Sequence, residues 1–268
     1  MSGLRLNFTI ICVSLVLSFF MFGNNIDAEF SVIDDHNIVS LVGDDNYFSA
    51  ADAVDFVKDD SDFKVGSYGR FRPSFQIGRA FEMYLFDDNV FYYQVARLSL
   101  FFLIISIFSI FIIKNSGIVY GTLISLILIS EKAWVDIFTR IITSELYTIY
   151  GLVIFIPITF KIVTLINTGA LKKNRLTIAC IALLYLLSGL MTIGSKENFS
   201  FLIIVPIFII YIIFKSNNRN NFIWILSFFS LILVLFGLLT PFMLFSYFFY
   251  TPENLSGYGI FSGFDTLV

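Results

Sequence analysis

The sequence predicts an all-α polytopic membrane protein, with about seven transmembrane helices and one large polar loop after the first. Three observations predict it. The 268-residue chain is 57% hydrophobic and only 14% charged, with 34 Phe and a mean hydropathy of +0.86. Soluble domains carry about 25% charged residues, so this much apolar surface exceeds what a water-facing domain can bury. The apolar residues also fall in runs approaching the roughly 20 that a spanning helix needs, and backbone groups in lipid must be satisfied within the helix itself. Finally, acidic and basic residues segregate along the chain in the alternating way that a multi-pass topology requires.

The first apolar run is Leu4–Phe22, with Arg5 at its start. A signal peptide would need a small-residue cleavage site after it. Asn24 to Ala28 does not supply one, so residues 1–26 read as an uncleaved first span. Residues 27–90 then form the large loop. Six further runs, at about Phe91–Ile113, Ile118–Ser130, Leu146–Val163, Leu176–Ile193, Phe199–Phe214 and Phe222–Tyr250, fill residues 91–250, and 251–268 form a short tail. The third and sixth spans are short and need flanking residues. Pro241 is expected to bend or end the last one, leaving FMLFSYFFY as an aromatic interfacial segment.

With the N-terminus inside, the inner ends hold Arg5, Lys114, Lys161, Lys172, Lys173, Arg175, Lys215 and Arg219. All twenty acidic residues fall outside, fourteen of them between Asp27 and Asp88. Lys/Arg in short inner loops set orientation. The expectation is therefore a multi-pass protein with a cytoplasmic N-terminus and an extracytoplasmic C-terminus, which the resemblance described below places in the cell's inner (plasma) membrane. Cys12 and Cys180 both lie in apolar runs and suggest no disulfide framework.

Within the loop, Ser49 and Asp52 have the spacing of a capping box, which predicts a short helix from about Ala50 to Lys58. Pro73 suits the first position of another. Beyond it Ile77, Ala80, Phe81, Tyr84 and Leu85 share one side, with Gly78, Arg79 and Glu82 on the other. That amphipathic pattern fits a helix lying in the membrane interface or one packed on protein, and the pattern leaves both open.

Groups able to react or bind charge gather on the outer side. Asp34 and Asp35 lie just past the first span, where one carboxylate can take a proton and the other hold a metal or orient the first; the alternative is that both are simply solvated. His36, the single histidine, can join them around a divalent cation such as Mg or Mn, although no cofactor is required by the sequence. Arg70 and Arg72 flank Phe71 ahead of Pro73. Guanidinium forks recognise phosphate bidentately, and a helix N-terminus adds partial positive charge; alternatively they neutralise the acidic loop. Lys132, Asp136 and Arg140 are spaced as one stripe on a helix, with Glu131 beside them. Lys196 and Glu197 sit in a tight turn between the fifth and sixth spans, near whatever the loop covers. Within the spans ionisable groups are few; Arg97 lies near the outer end of its own. Phosphate-loop, paired-Cys, nucleophile-elbow and nucleic-acid-binding patterns are absent from the sequence.

These parts resemble the GT-C superfamily of membrane glycosyltransferases, of the bacterial surface-polysaccharide type. The resemblance rests on a first span, an outer loop opening with the acidic pair Asp34–Asp35, the stretch Gly69-Arg70-Phe71-Arg72-Pro73, and the turn Ser195-Lys196-Glu197. It covers residues 5 to 240 with short, degenerate motifs. It implies an inverting transfer from a polyprenyl-phosphate-linked sugar to a glycan or lipid acceptor. Asp34 or Asp35 would be the base, Arg70, Arg72 and Lys196 would hold the donor phosphate, and Glu197, Arg140 and Glu131 would support them. Such enzymes are usually longer, so the resemblance implies a short or truncated member. The competing readings are a non-catalytic transporter or assembly subunit of a polysaccharide pathway and, with His36 as base, an acyl-group transferase. Besides donor and acceptor, the partners are membrane lipids, with no nucleic acid.

Overall fold

The computed structural model describes residues 3–29, 33–42, 47–59, 72–141, 143–168, 175–216 and 221–250. Among these, all regular structure is helical. Six stretches are long and apolar enough to cross a membrane: Leu4–Asp27, Val90–Ser116, Ser144–Thr168, Leu176–Ser195, Glu197–Lys215 and Phe222–Met243. This is a membrane-embedded helical protein. The third apolar run forms a helix of only 12 residues, Ile118–Ile129. At 1.5 Å per residue it is about 18 Å long, short of the roughly 30 Å of a bilayer core.

Helix α1 is Gly3–Phe22, followed by a 3-10 turn at Gly23–Asp27. The loop contains three helices: α2 (Ile33–Val42), α3 (Ala50–Asp59) and α4 (Pro73–Phe86). The capping box is present. The Ser49 hydroxyl and backbone N–H both donate to Asp52 Oδ2 (2.6 and 2.8 Å), and the Asp52 N–H reaches the Ser49 hydroxyl at 3.2 Å. Pro73 opens α4, where its missing N–H leaves no donor unsatisfied. The sequence pattern did not anticipate α2.

Helix α5 (Val90–Ser116) turns at Gly117, whose φ of 82° is the kind of backbone that glycine accepts without strain, into α6 (Ile118–Ile129). A six-residue helix, α7 (Ala133–Phe138), leads to α8 (Ser144–Thr168). Then come α9 (Arg175–Ser195), a 3-10 segment Glu197–Ile203 continuing into α10 (Ile204–Lys215), and α11 (Asn221–Tyr250). The 3-10 segment supplies the flanking residues that the sixth apolar run lacked. Pro241 does not end α11, which continues as helix to Tyr250. FMLFSYFFY is therefore helical and continuous with α11.

Two cores share α8. Phe22, Phe101, Phe138, Tyr147 and Val153 lie in one; Phe155, Ile162, Tyr185, Ile209 and Leu233 lie in the other. Close approach of α8 to α9 depends on Gly151, where an added Cβ would stand 2.6 Å from the Thr192 backbone nitrogen. Large apolar side chains away from these cores, such as Trp224, Phe228, Leu231 and Leu235 on α11, are exposed. That outward apolar surface is what lipid covers.

Helix α4 lies over one end of the bundle. Its first turn is tied to α9 by Ser74 Oγ donating to Leu190 O at 2.8 Å. Its middle rests on α8, where a Cβ on Gly78 would come within 2.5 Å of Tyr147. The side carrying Gly78 and Glu82 thus faces protein, while Ile77, Phe81, Tyr84 and Leu85 are exposed. Ala80 is the exception on the apolar side and is buried. Phe75 and Met83 are buried as well, so α4 presents apolar side chains both to the bundle and outward, which suits a helix with one side in lipid.

Candidate functional site

Beneath α4, ionisable groups form two tiers at one end of the bundle. The deeper tier centres on Arg97, about 10 Å along α5 from Val90 by helix rise and almost fully buried. Its guanidinium grips Glu82 of α4 with two hydrogen bonds, Nη1 to Oε1 at 2.7 Å and Nη2 to Oε2 at 2.5 Å. It also donates from Nε (3.2 Å) and Nη2 (2.6 Å) to the Ile141 carbonyl. The Tyr147 hydroxyl donates to Glu82 Oε2 at 2.5 Å. A buried ion pair is stable only when its remaining hydrogen-bonding capacity is used, and here four elements contribute to that end. One more link fixes the α4–α5 turn: Tyr93 donates to the Asp87 carbonyl at 3.0 Å, while the Phe48 N–H donates to Asp87 Oδ1 at 2.8 Å.

The shallower tier joins the start of α4 to the turn after α9. Arg72, directly before Pro73, lies 3.9 Å from Glu197 by Nε to Oε2, with side chains 14% and 22% exposed. Its guanidinium also sits 5.1 Å above the Phe75 ring, a cation–π arrangement. Lys196 forms an ion pair with Glu145 at the start of α8. Ser144 Oγ donates to the other oxygen of Glu145 at 3.1 Å. Glu197 Oε2 is enclosed and accepts no hydrogen bond. The tier therefore alternates in sign, Arg72, Glu197, Lys196, Glu145, at the rim of the apolar bundle.

No protein-family model, no curated protein and no solved structure matches this chain. What the site can do is therefore argued from its own residues.

The structure brings together three residues singled out in the sequence: Arg72, Lys196 and Glu197. Asp34, Asp35 and His36 fall within α2, but their side chains lie outside the described residues, as does Arg70. Among the described residues no group of three His, Cys, Asp or Glu could hold a metal ion. Glu131 and Arg140 are exposed on the segment between α6 and α8 and join neither tier. The charged stripe of Lys132, Asp136 and Arg140 does not form on one helix. Helix α7 covers only Ala133–Phe138, so Lys132 precedes it and Arg140 follows it. Two contacts account for this. Trp134 and Phe138 pack on Phe101, with ring centroids at 5.6 and 4.9 Å. The chain then bends so that the Ile141 carbonyl meets Arg97.

Sequence reasoning missed the deeper tier. Arg97 was noticed only as a charge near a span end. The signal available was that a charged residue inside an apolar span has a partner and a purpose by default. Glu82 was visible on the polar side of the amphipathic pattern, which pointed toward such a partner.

Proposed function

We propose that the chain is an integral-membrane glycosyltransferase. It moves a sugar from a polyprenyl-phosphate donor to a cell-surface glycan or lipid acceptor. In this reading the α4 end of the bundle faces the extracytoplasmic side of the inner membrane and the N-terminus is cytoplasmic. The observation that carries the proposal is the meeting of Arg72 with the Lys196–Glu197 turn at the rim of the bundle. A lipid-borne phosphate arrives at that depth, with its chain in the bilayer and its head at the boundary. Arg72 offers a planar fork for phosphate oxygens, and the N-terminus of α4 beside it adds partial positive charge. Lys196 supplies a second cation, now paired with Glu145.

The chemistry follows the usual demands of glycosyl transfer. The acceptor hydroxyl attacks the anomeric carbon, the bond from that carbon to the phosphate oxygen breaks, and the hydroxyl proton passes to a carboxylate, Asp34 or Asp35. Charge growing on the departing phosphate is met by Arg70, Arg72 and Lys196. Binding at Arg72 displaces Glu197, whose contact at 3.9 Å involves no hydrogen bond.

A second reading, a non-catalytic transporter or assembly subunit of a polysaccharide pathway, is favoured by one observation. Glu197 and Glu145 lie against Arg72 and Lys196, so the tier is charge-matched as it stands. The test is transfer from a radiolabelled polyprenyl-phosphate sugar in membranes, with Asp34→Asn, Asp35→Asn, Arg72→Ala and Lys196→Ala beside the parent. Loss in the Arg72 and Lys196 variants, at unchanged protein level, is expected. Equal transfer in all five would remove the proposed roles, and no transfer in the parent favours the second reading.

A further inference from the structure

Where α6 stops short, the bundle wall has a gap. A partly open cavity of about 160 Å³ lies there between α5, α6 and α8, with Trp134 of α7 on its rim. Its lining includes Ile105, Phe108, Leu128 and Leu152, and its serines are Ser109 and Ser125. The Ser125 hydroxyl already donates to the Gly121 carbonyl at 2.8 Å. A buried water needs two to four polar partners, which this space does not offer. Apolar cavities of similar size stay dry and take hydrocarbon.

We propose that this cavity holds an acyl chain of a bilayer phospholipid, which completes the wall that α6 is too short to build. Three observations select that occupant. The cavity adjoins the outward face of α6, where Leu123, Ile124, Leu126 and Ile127 are exposed, so it opens toward bulk lipid. Trp134 is placed as an interfacial aromatic is, with its indole N–H donated to the Leu128 carbonyl at 2.5 Å and its ring against Phe101. A structural gap also needs an occupant that is always at hand, and at this depth that is a bilayer chain rather than a substrate that leaves on each turnover. The inference is independent of the glycosyltransferase reading, because it concerns the α5–α6 wall rather than Arg72 and Lys196.

The test uses the full chain in phosphatidylethanolamine/phosphatidylglycerol bilayers containing a trace phospholipid with a diazirine on one acyl chain. After irradiation, label is mapped by mass spectrometry. Labelling of Ile104–Ile112 and Leu128–Ile129 is expected to exceed that of the exposed α11 residues Phe228 and Leu235 several-fold. It should fall to the α11 level in Ser125→Leu and in Ser109→Leu, which fill the space from within stable helices. Label equal on both surfaces, or unchanged in the two filled variants, would refute the proposal. Competition by an isoprenyl phosphate would assign the slot to a different lipid, and crosslinks between chains would assign it to a second copy; either result overturns it.

Discussion

Breaking the buried pair between Arg97 and Glu82 should destabilise the fold far more than any other single polar change. Arg97 is 2% exposed and Glu82 12%. Arg97→Met removes two charge-assisted bonds to Glu82 and both contacts to the Ile141 carbonyl. It leaves an anion with only Tyr147 for a partner. Removing one member of a buried pair costs about 3–5 kcal/mol, and the stranded carbonyl lies within that figure rather than beyond it, because the terms are not additive. Glu82→Gln should be comparable, since a guanidinium cannot escape by losing its proton. Arg97→Lys should not rescue, because an ammonium cannot span both carboxylate oxygens and the carbonyl in the same geometry. The double variant Arg97→Met, Glu82→Leu removes both charges and should recover most of the loss. The assay is equilibrium unfolding by denaturing detergent in mixed micelles, with coupling read from the double-mutant cycle. Single variants losing under about 1 kcal/mol, or a double variant as poor as the sum of the singles, would refute the reasoning.

Three further outcomes follow from the same contacts. Gly78→Val places a side chain where Tyr147 stands, at 2.5 Å for the Cβ alone. An overpacking loss of about 1–3 kcal/mol is expected, and a cysteine at Ser74 should become more reactive as α4 lifts; unchanged reactivity would contradict the packing. Gly151→Ala meets backbone of α9 at 2.6 Å, at Thr192 N, so it should separate α8 from α9 and lower thermal stability in detergent; an unchanged melting temperature would contradict the packing. The Ser49 hydroxyl, then its backbone N–H, hold the Asp52 carboxyl below its usual range. A carboxylate with a depressed folded value contributes stability that is present above the unfolded value of about 3.9 and fades as pH falls through the folded one. The protection of α3 amides, taken relative to their intrinsic exchange rate at each pH, should therefore fall on acidification below that point in the parent, and show a weaker dependence in Ser49→Ala.

The parts of this fold that were legible in the sequence are those with local causes. Apolar runs, the Ser49–Asp52 capping box and Pro73 each act within a few residues, so the helices over the apolar runs, α3 and the start of α4 fall near the expected bounds, although one of the seven runs is too short to span. What escaped was set by partners distant along the chain. Lys132, Asp136 and Arg140 have the spacing of a helical stripe, yet Trp134 docking on Phe101 and the demand of Arg97 for the Ile141 carbonyl interrupt the helix. Pro241 was read by its missing N–H, but a helix in lipid can pass through a proline when its neighbours compensate. The two sides of α4 were correctly separated. Which of them faced protein could not follow from periodicity, because lipid and protein interior accept the same side chains.

The two tiers differ in what opening them requires, and this difference is the basis for assigning them different work. The deeper pair is buried, bidentate and tied to two further groups, the Ile141 carbonyl and the Tyr147 hydroxyl, so it holds α4 against α5 and α8. The shallower contact between Arg72 and Glu197 is long, partly exposed and without a hydrogen bond. A phosphate arriving at Arg72 would exchange the long contact with Glu197 for charge-assisted bonds, which are roughly twice as strong as neutral ones. Glu197, once released, is held near the incoming anion by the short Lys196–Glu197 turn, so repulsion should make it swing toward solvent. If exchange of this kind is what the tier does, Glu197→Gln should tighten binding of a polyprenyl phosphate and Arg72→Ala should weaken it, with Arg97 untouched in both. Opposite signs for those two variants are the required result; a loss in both would mean that the Arg72–Glu197 contact is a structural tie like the pair beneath it.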